Sequence, residues 1–258
     1  MINYSVSGRK KNPDISIQDF LNLEYMDLDK DKVSTVFGFV EKSSLYGGRI
    51  FEQPELSNAD VEQLYRLNIG LKLPLTNHYI TEAEYQNNFD FLKKYHRKGN
   101  SIALVNDDLA RWIKRDFPKY ELEASVIKNI HTQTTINKYL ELYDIIVLPM
   151  DLYNNLENLQ TLEPKNKLRF FGQSACAYNC PAKICYKTIS KINKLNVGEG
   201  ADLFKCSKSI KQRDIMGFQE FDINLLIKMG FTNFKMIRNI HKKKIEFTNL
   251  TNSFKWFN

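Results

Sequence analysis

The sequence predicts an α/β fold, and a (β/α)8 TIM-like barrel, regular or irregular, is the architecture that its pattern favours. Eight runs rich in β-branched and aromatic residues alternate with segments of helical periodicity. Four of these runs begin near residues 101, 120, 144 and 168, which places them 19, 24 and 24 residues apart. A crossover helix with two loops fits that length, so the strands are expected to be parallel. A doubly wound open sheet is the alternative, although no GxGxxG or P-loop motif supports a nucleotide-binding version of it.

The first predicted strand is Val33–Val40, which lies between the charged DLDKDK and the turn-rich EKSSLYGGR. Ser57 is the expected N-cap of the following helix, because an acidic residue stands in its first turn. The second strand is Ile69–Leu75. A further helix begins after Thr81 and ends at Gly99, where a left-handed residue is favoured. These elements form one complete strand, helix, strand, helix unit.

The middle of the chain repeats this unit twice. Ser101–Val105 and Tyr120–Ser125 are the third and fourth predicted strands, with the helical DLARWIKRDF between them. Asp144–Pro149 and Leu168–Phe171 are the fifth and sixth, with the helical LYNNLENLQTL between them. The regular spacing is the main reason to expect a barrel.

The sixth strand is followed by a predicted insertion over residues 172–212, which carries all four cysteines. The alternation then resumes with a weak strand at Arg213–Phe218, a helix that ends on Gly230, and a strand at Asn233–Ile237. We therefore predict one barrel domain over residues 1–258 with a Cys-rich insertion inside it.

The composition excludes several classes of protein. The chain has 258 residues, 43% of them hydrophobic, which is enough for a sizeable core and too apolar for a disordered chain. With 4 Cys, 7 Pro and 11 Gly it is neither collagen-like nor a disulfide-dense secreted protein. No apolar run approaches the ~20 residues of a membrane helix, and no apolar segment precedes the first charged cluster as in a secretory signal. We expect a cytoplasmic protein without a membrane span.

The positive charge is concentrated near the end of the chain. The net charge is +7, and residues 205–244 alone contain ten Lys or Arg against three acids. Such a segment can meet the phosphates of RNA or of a small substrate. A solvated basic face without a ligand is the alternative, because the segment has no RNA-module signature.

Polar residues at the carboxyl ends of the predicted strands are the candidates for catalysis, since parallel barrels carry their reactive groups there. His78 is the one imidazole at such a position, where it can serve as a general acid or base near neutral pH. A hydrogen-bonded structural histidine is the alternative. The catalytic candidates are Asn77, His78, Asn106 and Ser125.

A second group of strand-end residues suits substrate binding. The GGR turn after the first strand can hold a carboxylate or phosphate with backbone amides and a guanidinium, although a plain turn explains it equally. Asp107 and Asp151 directly precede helical patterns, so helix capping is the alternative for both. The substrate-binding candidates are Gly47, Gly48, Arg49, Asp151 and Arg238.

The four cysteines lie within 31 positions and have the spacing C-x3-C-x4-C-x20-C. Thiolates grouped in this way in a cytosolic chain suit a soft metal, either tetrahedral zinc or an iron–sulfur cluster. The spacing contains no C-x2-C pair of a zinc knuckle, and it differs by two residues from the C-x3-C-x2-C of radical-SAM enzymes. Unliganded thiols and disulfides are the remaining alternatives. The candidate metal ligands are Cys176, Cys180, Cys185 and Cys206.

Several of these segments together resemble the collagenase-like peptidase family, which also contains oxygen-independent ubiquinone-hydroxylation and RNA-hydroxylation proteins. The similar segments are SLYGGR, DDLARWIKRDFPKYELEASVI, DIIVLP followed by Asp151, NCP at residues 179–181, and the late FKMIR. The resemblance covers roughly residues 33–240. FKMIR differs from the family in having Ile237 where members tend to have glycine.

The resemblance implies a TIM-like barrel and, in the hydroxylating members, a [4Fe–4S] cluster held by four cysteines. Cys176 and Cys180 match the family's Cys-bearing segment after the sixth strand, and Cys185 and Cys206 are the remaining cysteines of this chain. Some members act in pairs, so a hetero-partner of the same family is a further implication.

From these observations we expect an iron–sulfur barrel protein in an oxygen-independent, hydroxylation-type modification of an aromatic or nucleobase substrate. The substrate would be a small molecule or RNA. One alternative is a non-catalytic partner or scaffold in which the metal, zinc for example, is structural. A peptidase-like protein is the other, although no G-x-S-x-G or H-E-x-x-H motif is present.

Overall fold

Eight parallel strands close into a barrel in this computed structural model, which describes residues 1–174, 184–195, 199–206 and 219–237. The barrel strands are β1 (Asn3–Ser7), β2 (Val33–Phe37), β3 (Gly70–Leu73), β4 (Ser101–Leu104), β5 (Glu121–Ala124), β6 (Ile145–Val147), β7 (Leu168–Phe171) and β10 (Asn233–Met236). Their order around the barrel is β1, β10, β7, β6, β5, β4, β3 and β2. The strand β1 pairs with both β10 and β2, so that Val6 lies opposite Met236 and Val36. The predicted (β/α)8 fold class is therefore confirmed.

Helices follow the strands in alternation. They are α1 (Ile17–Glu24), α2 (Asn58–Arg66), α3 (Glu82–Asn87), α4 (Phe89–Lys94), α5 (Asp107–Asp116), α6 (Gln133–Leu140), α7 (Leu156–Thr161), α8 (Ile184–Ile192) and α9 (Ile223–Lys228). Ser57 and Thr81 cap α2 and α3 through capping boxes, as predicted.

The caps of two other helices differ from the sequence expectation. The N-cap of α5 is Asn106, whose side chain accepts from Leu109 N, and Asp107 is the first residue inside the helix. Asn155 caps α7, while Asp151 lies in a preceding 3₁₀ turn. A side-chain oxygen caps a helix when its own residue directly precedes the first helical residue. The N-cap of α5 lies one residue before the predicted Asp107, and the N-cap of α7 lies four residues after the predicted Asp151.

The first barrel strand, β1, was not predicted. Its sequence NYSVS alternates polar and apolar residues over only five positions, so it lacks the continuous apolar run of strands such as Ile145–Val147. The weak strand predicted at residues 213–218 lies outside the described residues. The chain therefore completes the eight strands with its own N-terminal segment.

The core lies between the strands and the surrounding helices. Alternate strand residues such as Val6, Leu71, Ile102, Ile146 and Phe234 are fully buried against helix residues. The residues between them point into the barrel. This second set is largely polar, and it includes charged side chains.

Two short strands form a separate two-stranded sheet. β8 (Gln173–Ser174) directly follows β7 and pairs antiparallel with β9 (Gln219–Glu220). Among the described residues, no helix has the length and apolar character needed to cross a membrane.

Candidate functional site

The helix α8, which belongs to the predicted Cys-rich insertion, lies over the carboxyl ends of β2 and β3. Directly after α8, the amide of Asn193 donates to Tyr46 O at 3.1 Å and to Arg49 O at 2.9 Å. Its Oδ1 accepts from Phe51 N at 2.8 Å. The buried Asn193 side chain therefore fastens the insertion to the loop after β2 and places it at the mouth where barrel enzymes have their active sites.

Asn77 joins three segments of the mouth. Its fully buried amide nitrogen donates to Ser190 O at 2.7 Å, to Ser44 O at 2.8 Å and to Tyr46 O at 3.3 Å. Its Oδ1 accepts from Tyr79 N at 2.9 Å. Because these bonds use its donors and its acceptor, Asn77 connects the loops after β2 and β3 to α8.

His78 is positioned by a serine of α8. Both its backbone N (3.2 Å) and its Nδ1 (3.0 Å) contact Ser190 Oγ. The Ser190 hydroxyl donates its proton to Tyr186 O at 2.8 Å, so the hydrogen bonds assign the proton on the imidazole to Nδ1. Among the described residues Nε2 has no hydrogen-bond partner, and it therefore carries an available lone pair.

The surroundings of His78 keep its imidazole neutral. Burial of the ring lowers its pKa, and the positive charges of Lys187 and Lys128 lower it further, to about 4. At neutral pH the ring is thus a base or a ligand rather than a cation. The general acid or base role expected of this strand-end histidine stays a prediction.

Lys128 follows β5 and belongs to a polar group that sequence reasoning missed. Its ammonium contacts Asp107 Oδ1 at 2.8 Å and donates to Val105 O at 2.9 Å, and Tyr143 OH donates to the same carboxylate oxygen at 2.6 Å. Burial alone would raise the pKa of Asp107, but the hydrogen bonds from Lys128 and Tyr143 lower it. The charged pair of Lys128 and Asp107 thus lies near His78. The position of Lys128 just after a predicted strand was the feature of the sequence that could have identified it.

Asn106 and Ser125 contact backbone groups at the same mouth. Asn106 Oδ1 caps α5, and its nitrogen donates to His78 O at 3.3 Å. Ser125 Oγ accepts from Ile127 N at 3.4 Å and caps a short 3₁₀ turn. Both side chains hold the loops around His78 in place.

The two glycines of the GGR turn are required by the backbone. A Cβ on Gly47 would lie 2.2 Å from Thr76 O, so any side chain there would collide with the loop after β3. Gly48 has a φ of 78°, a left-handed conformation that favours glycine. The close approach brings the loops after β2 and β3 together.

Arg49 is engaged within its own loop. Its Nε donates to Glu55 Oε1 at 3.1 Å, its Nη2 contacts Glu55 Oε2, and its guanidinium lies 4.2 Å from the centre of the Phe39 ring. Glu55 Oε2 also accepts from Phe39 N at 2.9 Å. Glu55 therefore binds the guanidinium of Arg49 in a bidentate manner, in the place where a ligand carboxylate was expected.

The two remaining substrate-binding candidates are Asp151 and Arg238. Asp151 is exposed, and both of its carboxylate oxygens lie 3.1 Å from His131 Nε2. Arg238 lies outside the described residues.

Two of the four cysteines can be placed. Cys185 is 3% exposed on α8 and packs with Tyr186 and Ile189, and Phe204 packs against the same three residues. Phe204 precedes Cys206 by two residues, so the second cysteine-bearing segment folds back onto α8. Cys176 and Cys180 lie outside the described residues. Within the described residues no three His, Cys, Asp or Glu side chains form a group able to hold a metal.

A cluster of charged side chains fills the barrel interior below the mouth. Lys72 on β3, Arg169 on β7 and Lys235 on β10 all contact the carboxylate of Glu123 on β5. Of these strands only β7 and β10 are neighbours in the barrel, so side chains from β3, β5 and the β7–β10 pair can meet only inside it. Lys72 Nζ lies 2.5 Å from Oε2, which Arg169 Nη1 also contacts, and Lys235 Nζ lies 3.0 Å from Oε1. We refer to these four residues as the interior cluster.

Burial and mutual repulsion set the protonation of the interior cluster. Burial lowers the pKa of Lys72, and Arg169 lowers it further, to about 7 in spite of the contact with Glu123. Burial would raise the pKa of Glu123, but Lys235, Lys72 and Arg169 together lower it well below its usual range. The carboxylate is therefore ionised at neutral pH, while Lys72 can exchange its proton.

Comparison with known proteins identifies one solved structure with the same fold, described as the U32 peptidase Mk0906. The two chains superpose with a TM-score of 0.59 over 93% of each chain, at 9% sequence identity. This similarity shows a shared fold with the U32, or collagenase-like, peptidases. No family model matches the sequence, and no curated protein matches it.

Proposed function

We propose that this chain is an iron–sulfur barrel protein that takes part in an oxygen-independent, hydroxylation-type modification of an aromatic or nucleobase substrate. The observation that carries the proposal is the position of the Cys-bearing insertion. Its helix α8 lies over the carboxyl-terminal mouth of the barrel, beside His78, with Cys185 on the same helix. The U32 peptidase fold and the resemblance of the sequence segments support it.

The packing of the two described cysteine-bearing segments supports a shared thiolate site. Cys185 is buried at one end of α8, and the packing of Phe204 holds the segment of Cys206 against that helix. Cys176 and Cys180 would supply the other two ligands of a [4Fe–4S] cluster. Such a cluster, when bound, supplies one-electron transfer at a potential set by its protein surroundings.

The side chains of this chain would bind and orient the substrate and move a proton. The neutral His78 can accept a proton at Nε2, and Lys128 can stabilise negative charge that develops nearby. Asn77, Asn106 and Ser125 hold the mouth loops in position through hydrogen bonds to backbone groups. A substrate bound under α8 would be shielded from water, which strengthens these electrostatic effects.

Anaerobic purification tests the proposal. We expect about four iron and four sulfide per chain, with a visible absorbance that bleaches on reduction. Replacement of Cys176, Cys180, Cys185 or Cys206 by serine should reduce the iron content, whereas the exposed Thr134→Ser should not. A well-folded, anaerobically prepared protein without iron would contradict the proposal.

A non-catalytic partner with a structural metal is a second candidate. It is favoured by the bonds of Asn77, Asn106, Ser125 and Arg49, which all go to groups of the chain itself. Zinc instead of iron on elemental analysis, with loss of the fold on chelation, would support this alternative. A hetero-partner of the same fold would then carry the reaction.

Peptidase activity, suggested by the name of the structural neighbour, has less support in the geometry. Ser190 and His78 are within hydrogen-bond distance, as a nucleophile and its base would be. However, Ser190 is fully buried and its hydroxyl donates to Tyr186 O. A substrate carbonyl therefore has no access to Ser190 Oγ.

A further inference from the structure

The interior cluster contains more positive than negative charge. Lys72, Arg169 and Lys235 surround the single carboxylate of Glu123, so the four groups carry a net charge of +2 when all are ionised. A second acid, Glu121, is partly exposed at the start of β5 and raises the pKa of Lys72 less than Glu123 does. Burial of unbalanced charge is costly, so a purely structural network would be expected to contain equal numbers of both signs.

Two buried donors beside the cluster have no acceptor. Arg169 is 1% exposed, and its Nε has no hydrogen-bond partner among the described residues. Ser101 Oγ, on the strand beside Lys72 and in register with it, also lacks one. Unsatisfied buried donors are rare in folded proteins and call for an explanation such as a bound ion or water.

Lys235 connects the cluster to the mouth. Its side chain is 11% exposed, whereas those of Lys72 and Glu123 are fully buried. The Lys235 ammonium lies 4.8 Å from the centre of the Phe37 ring and 5.5 Å from that of Phe171, the last residues of β2 and β7. The most accessible cation of the cluster therefore lies on the carboxyl-terminal side, between two aromatic rings.

Lys235 and Arg169 share one partner in the barrel interior. They lie on the adjacent strands β10 and β7 and contact the two different oxygens of the Glu123 carboxylate, so both cations face the same group. An oxyanion bound beside that carboxylate would accept from Arg169 Nε and from the Lys235 ammonium. Its negative charge would also offset at least half of the net charge of +2.

We propose that the interior cluster is a binding site for an oxyanion, the carboxylate or phosphate group of a small ligand that enters through the carboxyl-terminal mouth. Lys235 and Arg169 bind the anion, and Glu123 holds the cations in position. Lys72 supports the site from below, because its ammonium contacts Glu123 on the oxygen shared with Arg169. The site does not require the cysteines, so it stands apart from the iron–sulfur proposal.

Calorimetric titration of the full chain with inorganic phosphate and with acetate tests this site. We expect saturable one-to-one binding of at least one of the two anions, and the stronger binder identifies the ligand group as phosphate or carboxylate. Lys235→Met should weaken binding about 10- to 100-fold, since it removes one charge-assisted hydrogen bond. The matched control Lys167→Met replaces an exposed lysine ahead of β7 and should leave binding unchanged.

A second measurement needs only the wild-type chain. A bound anion stabilises the charged form of Lys72, so its pKa of about 7 should rise when the binding anion is added, as seen by NMR of the lysine side chain. Absence of saturable binding by both anions, or binding that Lys235→Met and Lys167→Met leave equally intact, would overturn the proposal. A Lys72 pKa that does not move at saturating anion would overturn it as well.

Discussion

The mouth and the interior of this barrel use polar residues in opposite ways. At the mouth, neutral side chains such as Asn77, Asn193 and Ser190 bond to backbone groups and join α8 to the loops after β2 and β3. In the interior, charged side chains bond to one another, with cations in excess and two buried donors left over.

The polar residues at the mouth therefore position the loops, whereas those of the interior keep groups that can bind a ligand. Amide and hydroxyl bonds to carbonyls define where loops lie, and they leave these groups little capacity for a ligand. Among the described residues, the groups that retain capacity include His78, through Nε2, and the interior cluster, through Arg169 Nε. A ligand that spans the two regions would meet a neutral base above and cations below.

Among changes to the mouth and the interior, we expect Glu123→Leu to lower stability the most, because it would leave three buried cations without their counter-ion. We expect a loss of about 3–5 kcal/mol in the free energy of unfolding, measured by urea denaturation. The matched Glu157→Leu, on the exposed surface of α7, should change it by less than about 0.5 kcal/mol.

We also expect Glu123→Leu to change how the free energy of unfolding depends on pH. The pKa of Glu123 is lowered in the folded state, so its contribution is present above the unfolded carboxyl pKa of about 4.3 and is lost as pH falls through the folded value. Glu123→Leu should remove this part of the acid destabilisation. A similar loss of stability in Glu123→Leu and Glu157→Leu would show that the interior charges are not coupled.

A smaller effect is expected from Asn77→Ala at the mouth. The change leaves the carbonyls of Ser44 and Ser190 without the donor of Asn77, while Tyr46 O keeps its bond from Asn193, and we expect a cost of about 2–3 kcal/mol. Amide hydrogen exchange in α8 should also become faster, because the helix loses its bond to the loop after β3. Asn158→Ala on the exposed face of α7 is the control, and unchanged exchange in α8 would contradict the role assigned to Asn77.

The smallest effect concerns the protonation of His78. Its imidazole should titrate near pH 4 by NMR, with His78→Gln identifying the resonance. The unfolded histidine binds a proton near pH 6.5, and the folded one does not until about pH 4, so wild-type stability should fall as pH decreases across that window. His78→Gln should lack this component. A midpoint near 6.5 in the folded protein would show that the mouth is not desolvated.

Much of the fold could be predicted because its signals are local. Strands such as Leu168–Phe171 are apolar runs of fitting length, and caps such as Ser57 and Thr81 depend on residues three positions away. The first strand, Asn3–Ser7, was missed because the side that faces the barrel interior is polar. Its alternation of polar and apolar residues was the signal that could have identified it.

The candidate site was predicted in part for the same reason. Strand-end positions follow from strand boundaries, so Asn77, His78, Asn106 and Ser125 were named, and the structure places them around one mouth. That Asn77 contacts Ser190 across 113 positions has no local signature.

The sequence by itself determined the alternation of strands and helices and the positions of most strand ends, and it favoured a parallel barrel over an open sheet, because hydrophobic period, caps and unit length are properties of short segments. Only the tertiary structure decided that the N-terminal segment closes the barrel and that Lys72, Glu123 and Lys235 meet inside it. A charged residue at alternate positions of a strand has the same pattern whether it faces water or a barrel interior. Closure of the sheet selects the interior and brings together side chains that are 51 and 112 positions apart in the chain.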